Sequence, residues 1–315
     1  MNNNSIRNKA VITIIIFVIF YSIFAFYSDF NKIKENYEQI KLVYLAPILG
    51  ILFFTMFLRS LIQRSLLKRI GIELSIRQSY VIFLSGLSML VTPGGSGQAI
   101  KSHFIKRKYG HPISKSLPIA FIERFYDFLA ITVIMFMTIF IYYSTISLTI
   151  IIISSIILGC IIFSIKNKKF QMVLQFIIKK IPFLNKRSSQ IFIFNNSLEK
   201  LFESKLIMRN CFLVTCIFVI EGFVIYLSFL TFNINLGYIQ TIHIFYTSVL
   251  AGALSFLPAG IGIMEVTFTK LLIQNNLELS AILSLIIFIR ITTTWYLTGL
   301  GFVSSYIITS RIKKN

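Results

Sequence analysis

Two five-residue breaks interrupt an otherwise apolar chain, Pro93-Gly94-Gly95-Ser96-Gly97 and Pro258-Ala259-Gly260-Ile261-Gly262, and both read P-x-G-x-G. Proline and dense glycine are poorly tolerated inside helices, so each motif marks a place where a helix stops in apolar surroundings. Each break follows an apolar stretch, 78–92 and 241–257, that is short for a bilayer crossing. Each is followed by an arginine in an apolar segment, Arg124 and Arg290. The motifs lie 165 residues apart and the arginines 166. Even the approach repeats, Phe121-Ile122-Glu123-Arg124 against Phe288-Ile289-Arg290. A single break would be an ordinary kink. Two copies of short helix, break, second helix and buried arginine predict a transporter-like fold whose broken helices meet near the membrane midplane.

Composition places the chain in a membrane: 56% of its residues are hydrophobic, 13% are charged, and the mean hydropathy is +0.80. Apolar runs near 10–28, 42–63, 116–141, 146–165, 210–232 and 280–309 are long enough to cross about 30 Å of hydrocarbon as helices. The predicted fold is therefore an all-α polytopic membrane protein, with about six spans and two re-entrant hairpins, 78–100 and 241–275. It forms one domain over 1–315, with a first repeat at about 42–141 and a second at about 210–309. The run at 10–28 exceeds a typical signal-peptide core, and Tyr27-Ser28-Asp29 offers no small-x-small cleavage site, so it reads as a retained span. Cys160, Cys211 and Cys216 lie in or beside apolar helices without Cys-x-x-Cys spacing, so neither a structural disulfide nor a zinc site is expected. No cofactor is expected.

Charge sets the orientation. Segments 1–9, 64–77, 101–115, 166–209 and 311–314 hold 24 of the 31 Lys and Arg residues, which the positive-inside rule places on the cytoplasmic face together with both termini. If 64–77 and 101–115 share a face, 78–100 must dip in and return. The same logic sends 241–275 in from the opposite side, giving an inverted-topology repeat. The alternative, in which 78–92 and 241–257 span, would put 101–115 outside. Within 166–209, Phe170, Val173, Leu174, Ile177, Ile178 and Ile181 recur at helical spacing among lysines. This fits an amphipathic helix on an anionic leaflet or a solvated basic loop. A nucleic-acid partner is not expected, because no soluble fold carries the net charge of +20.

Ionisable residues inside apolar spans are the candidates for function, since a lone charge at mid-membrane costs at least a few kcal/mol. They are Arg59, Glu123, Arg124, Asp127, Glu221 and Arg290, with Glu265 just past the second break. Glu123 and Asp127 lie four apart and share a helical face. They could hold a cationic headgroup or a proton, or bind the other repeat through Arg290. Arg124 and Arg290 read equally as substrate contacts and as structural pairs. Arg59, near the cytoplasmic end of its span, is expected to snorkel. The glycines allow close backbone approach, and the helices after the breaks are expected to point free N–H groups inward, which with the two arginines suits a phosphate. The stretch Gly95 to Ser102 lacks the second glycine of a Walker A loop, with Ile100 in its place, so ATP binding is not expected.

The run from Thr92 to Asp127, TPGGSGQAIKSHFIKRKYGHPISKSLPIAFIERFYD, together with LPAGIGIMEV and Arg290, resembles the flippase-like membrane domain associated with lysylphosphatidylglycerol synthases, over nearly the whole chain. The resemblance implies a lipid-translocating or lipid-handling module. Its motifs fall on Pro93, Gly94 and Gly97, on Glu123, Arg124 and Asp127, on Pro258, Gly260, Gly262 and Glu265, and on Arg290. Gln98 stands where many relatives carry glutamate, which loses a possible proton carrier. The complete synthases carry a soluble aminoacyl-transfer domain, and the sequence ends at Asn315 without one, so this chain is not expected to make aminoacyl lipids by itself. A separate transferase is a possible partner.

The expected activity is translocation of a lipid or lipid-linked headgroup across the plasma or inner membrane. Candidate cargoes are anionic phospholipid, aminoacyl lipid and polyprenyl-phosphate. The alternatives are an enzyme or accessory subunit of glycolipid or polyprenyl-lipid synthesis, and a structural protein recruiting partners through 166–209. An enzyme would be expected to show an aqueous-facing acid/base or metal cluster, and the sequence shows none.

Overall fold

A computed structural model describes residues 30–92, 96–167 and 188–312, and every regular element among them is helical. The expected first span at 10–28, Pro93 and Gly94, and most of the amphipathic stretch fall outside the described residues. In order, the helices are α1 (Phe30–Glu38), α2 (Leu45–Arg69), α3 (Ile76–Leu87), α4 (Ile100–Tyr109), α5 (Ile113–Thr138), α6 (Thr145–Lys166) and α7 (Ser188–Leu201). There follow α8 (Ser204–Thr231), α9 (Tyr238–Leu254), α10 (Ile263–Ile273), α11 (Leu279–Arg290) and α12 (Tyr296–Ile312).

Among the described residues, four helical stretches are long and apolar enough to cross a membrane: Leu42–Arg69, Thr145–Ile165, Ser204–Thr231 and Leu279–Ser310. α5 has the length, at 26 residues, but carries Glu123, Arg124 and Asp127 in its middle. The last stretch, expected as one span at 280–309, is interrupted by a π-helical turn, Ile291–Trp295, immediately after Arg290. Such turns often sit at functional sites.

α2 and α8 run antiparallel and define the two ends of the bundle. At one end Arg69 pairs with Glu203, and at the other the Lys41 N–H donates to the Thr231 carbonyl at 3.0 Å. The first hairpin, α3–α4, has both feet at the former end. Arg64 Nε donates to the Leu74 carbonyl at 2.8 Å, Lys115 Nζ donates to the Gly71 carbonyl at 3.1 Å, and Ser75 and Arg77 share a small cavity with Lys108 and Tyr109. A Ser75–Gln78 capping box starts α3, and Gly110, at φ +76°, ends α4. The second hairpin, α9–α10, stands at the opposite end, where Gln240 Nε2 donates to Asn275 Oδ1 at 2.5 Å.

Packing among these helices relies on small and hydroxyl-bearing residues, since lipid tails are as apolar as Leu and give helices little hydrophobic reason to associate. Ser79 Oγ donates to the Ser60 carbonyl at 3.0 Å and Ser304 Oγ to the Val81 carbonyl at 2.8 Å, joining α3 to α2 and α12. At Gly301 a side chain would sit 2.1 Å from the Ser88 backbone nitrogen, so α12 crosses the end of α3 at main-chain contact. Large apolar side chains such as Phe140, Ile156, Phe212 and Val303 face outward, as a lipid-facing surface requires.

Candidate functional site

Residues flanking both breaks face one cavity. Leu87, Leu90, Thr92 and Gln98 from the first, and Leu254, Phe256, Leu257, Ala259 and Gly260 from the second, line one cavity of about 510 Å³. Its walls are otherwise largely aromatic and aliphatic. Its charged lining residues are Arg59, Arg124, Asp127, Glu221 and Arg290. The second tip holds its shape under strain: Phe256 and Ala259 are non-glycine residues at φ +55° and +51°. Gly260 lies so close to Gly252 that a Cβ on it would approach the Gly252 Cα to 2.8 Å.

Four of those charges form a chain of ion pairs. Glu221, on α8, accepts from Arg59 Nε at 3.0 Å and Nη2 at 3.1 Å. Arg59 Nη1 donates to Asp127 Oδ1 at 2.6 Å, and Arg124 Nη2 reaches Asp127 Oδ2 at 2.8 Å. The guanidinium of Arg59 also lies 4.5 Å from the centre of the Phe218 ring. Arg59 therefore does not snorkel to the end of its span; its side chain is 12% exposed and ties α2 to α5 and α8. Sequence reasoning missed this role. The available signal was Glu221, a carboxylate with no cation on its own apolar span, and Arg59, a cation with no carboxylate on its own, which points to a pairing between spans.

Arg124 is the accessible cation. Its side chain is 37% exposed, and its Nε is buried without a hydrogen-bond partner among the described residues. Gln98 also lines the cavity, and its Nε2 is likewise unpaired. Arg290 differs. It is 5% exposed, donates Nε and Nη2 to Glu265 Oε1 at 2.9 and 2.6 Å, and donates Nη1 to the Ala259 carbonyl at 3.1 Å. It fastens the second tip to α11 and so is placed as a structural counterpart of Glu265.

Two backbone donors that the sequence suggested would be free, one in each break, are satisfied within the chain. Gly262, at φ +90°, donates its N–H to Glu265 Oε2 at 2.8 Å, while Gly97 donates to Thr92 Oγ1 at 2.6 Å. Neither nitrogen is left for a ligand. A Cβ on Gly97 would lie 2.5 Å from both Met89 Cβ and Thr92 Oγ1, so this glycine serves a tight turn. Pro258 also lies beyond the helix it was expected to terminate, since α9 ends at Leu254.

Glu123 lies outside the cavity lining and pairs with Lys101, whose stem crosses Gly86 where any Cβ would collide with it at 2.7 Å. Lys101, counted above with the cytoplasmic basic segment, is thus 4% exposed inside the first hairpin. The two hairpins carry the same device with signs exchanged. The first joins a cation on α4 to an anion on α5, and the second joins an anion on α10 to a cation on α11. By structural role Arg290 corresponds to Glu123, one residue from the Arg124 that sequence offset suggests.

Long apolar helices, an apolar exterior and a cavity lined by charged residues from several of those helices define an integral membrane protein with several apolar helices. The chain belongs to the family described as the lysylphosphatidylglycerol synthase TM region, which it matches over residues 10–301. It is also similar to a UPF0104 membrane protein of Methanocaldococcus jannaschii, with 25% identity over 231 residues, covering 71% of this chain and 95% of the relative.

Proposed function

We propose that the protein moves a phospholipid or lipid-linked headgroup between leaflets, with the headgroup in the central cavity and its acyl or isoprenoid chains left in the bilayer. The observation that carries this reading is the pattern of unmet hydrogen bonding. Gln98 and Arg124 both line the cavity, and Gln98 Nε2 and Arg124 Nε are buried without partners among the described residues. Every carboxylate oxygen of Asp127 and Glu221 already accepts from an arginine. Spare donors beside carboxylates whose charge is already met by arginines suit an anionic oxygen, and the Arg124 guanidinium suits a phosphodiester.

The hairpins are read as re-entrant elements that enter from opposite faces. Their feet at opposite ends of the bundle, and their tips at a shared cavity, support that arrangement. The end carrying Arg69, Arg77, Lys106, Arg107, Lys108 and Lys115 is assigned to the cytoplasm of the plasma or inner membrane.

The test is a leaflet-resolved quenching assay with acyl-labelled lipids in liposomes containing the purified protein. Arg124→Gln is expected to abolish lipid movement while costing no more than about 1 kcal/mol of stability, because its ion pair with Asp127 is short-range and Arg124 is partly exposed. Wild-type rates in that variant would remove Arg124 from the site and overturn the reading.

A further inference from the structure

The charges around the cavity balance. Glu221, Arg59, Asp127 and Arg124 form one linked set of two cations and two anions, and Arg290 is neutralised by Glu265 directly behind it. Among the described lining residues no further charge is present. An anionic headgroup entering this space would leave one uncompensated negative charge in a site walled by Phe83, Phe121, Phe125, Phe128 and Phe245. A cationic headgroup would leave a positive one. Either is disfavoured in a largely apolar site, where screening is weaker than in bulk water.

We infer that the cargo is a lipid whose headgroup is zwitterionic, a phosphodiester joined to an ammonium group, so that the occupied cavity remains neutral. The inference deepens the translocation reading and rests on it. Arg124 and Gln98 take the phosphodiester oxygens. The ammonium lies against Asp127 and Glu221, whose side chains are 13% and 15% exposed and whose oxygens each have a second acceptor site. The aromatic walls add favourable ring faces for the same cation. Arg59 positions both carboxylates from behind and takes no part in the contact.

The experiment compares translocation of acyl-labelled phosphatidylethanolamine, phosphatidylcholine, phosphatidylglycerol (net −1) and one aminoacyl lipid, lysyl phosphatidylglycerol (net +1), in otherwise identical liposomes. The wild type is expected to move the two zwitterionic lipids at least about tenfold faster than either charged one. Glu221→Gln leaves the set with one excess positive charge, and its preference should shift toward phosphatidylglycerol by about tenfold or more. Gln98→Glu, an isosteric change that adds a negative charge, should shift preference toward the aminoacyl lipid. It keeps the test open if the Glu221 variant does not fold. Equal rates for all four lipids in the wild type, or charge variants that move lipids with unchanged selectivity, would overturn the zwitterion assignment and leave translocation standing. Failure of the wild type to move any of the four would instead overturn the translocation reading.

Discussion

Arg59 makes the most quantitative case. Replacing it with methionine keeps a long apolar stem but deletes a guanidinium that holds Asp127 and Glu221, with side-chain exposures of only 12%, 13% and 15% across the three groups. Removing one member of a buried ionic cluster typically costs about 3–5 kcal/mol, because the remaining charges keep their desolvation penalty without compensation. Asp127 retains Arg124, and all three groups have some access to the cavity, so the lower end of that range applies, about 3 kcal/mol. Against a total stability of about 5–15 kcal/mol this is a large fraction. It can be followed in detergent by thermal or denaturant unfolding monitored through Trp295, the chain's single tryptophan, in the π-helical turn beside Arg290. The triple variant Arg59→Met, Asp127→Asn, Glu221→Gln removes all three charges and should recover most of the loss. A single variant within about 0.5 kcal/mol of wild type, or a triple variant no more stable than the single, would refute the buried-network account.

Gly301→Ala should cost about 1–3 kcal/mol, since its Cβ falls 2.1 Å from the Ser88 nitrogen and two helix backbones must separate; Gly50→Ala, with nothing within 4 Å, is the control, and equal midpoints for the two would remove the close crossing. For topology, single cysteines at Glu73 and Arg107, on either side of the first hairpin, should in a cysteine-free background both react with impermeant reagent from the same side of the membrane, opposite a cysteine at Tyr143. Labelling of Glu73 and Arg107 from opposite sides would remove the re-entrant reading of the first hairpin.

The breaks and long helices were legible because their signals are local: glycine and proline where a helix cannot continue, and apolar length where it can. The matched arginines were legible as positions only. Position along a repeat does not report which neighbour a side chain meets, and the residue that plays the part of Arg290 in the first half is Glu123, next to Arg124. The snorkelling reading of Arg59 failed because its distance from the end of the span was weighed without asking where the lone Glu221 of α8 would find a cation. The N–H groups after the breaks were read as free from helix geometry alone, whereas Thr92 and Glu265, close in sequence to each break, accept from two of them. The π turn after Arg290 leaves no compositional mark in the Ile291–Trp295 run that would distinguish it from an α-helix.

The exchanged signs of the two hairpin locks have an electrical consequence. A lone charge carried across the membrane field does work of about 2.3 kcal/mol for every 100 mV it traverses. Lys101 with Glu123, and Glu265 with Arg290, each form a unit of opposite charges held in direct contact. A unit that moves intact transports no net charge, so displacement of either hairpin with its partner helix produces little gating current. On the proposed translocation reading, membrane voltage acts chiefly through whatever net charge the cargo brings, and a zwitterionic headgroup brings none.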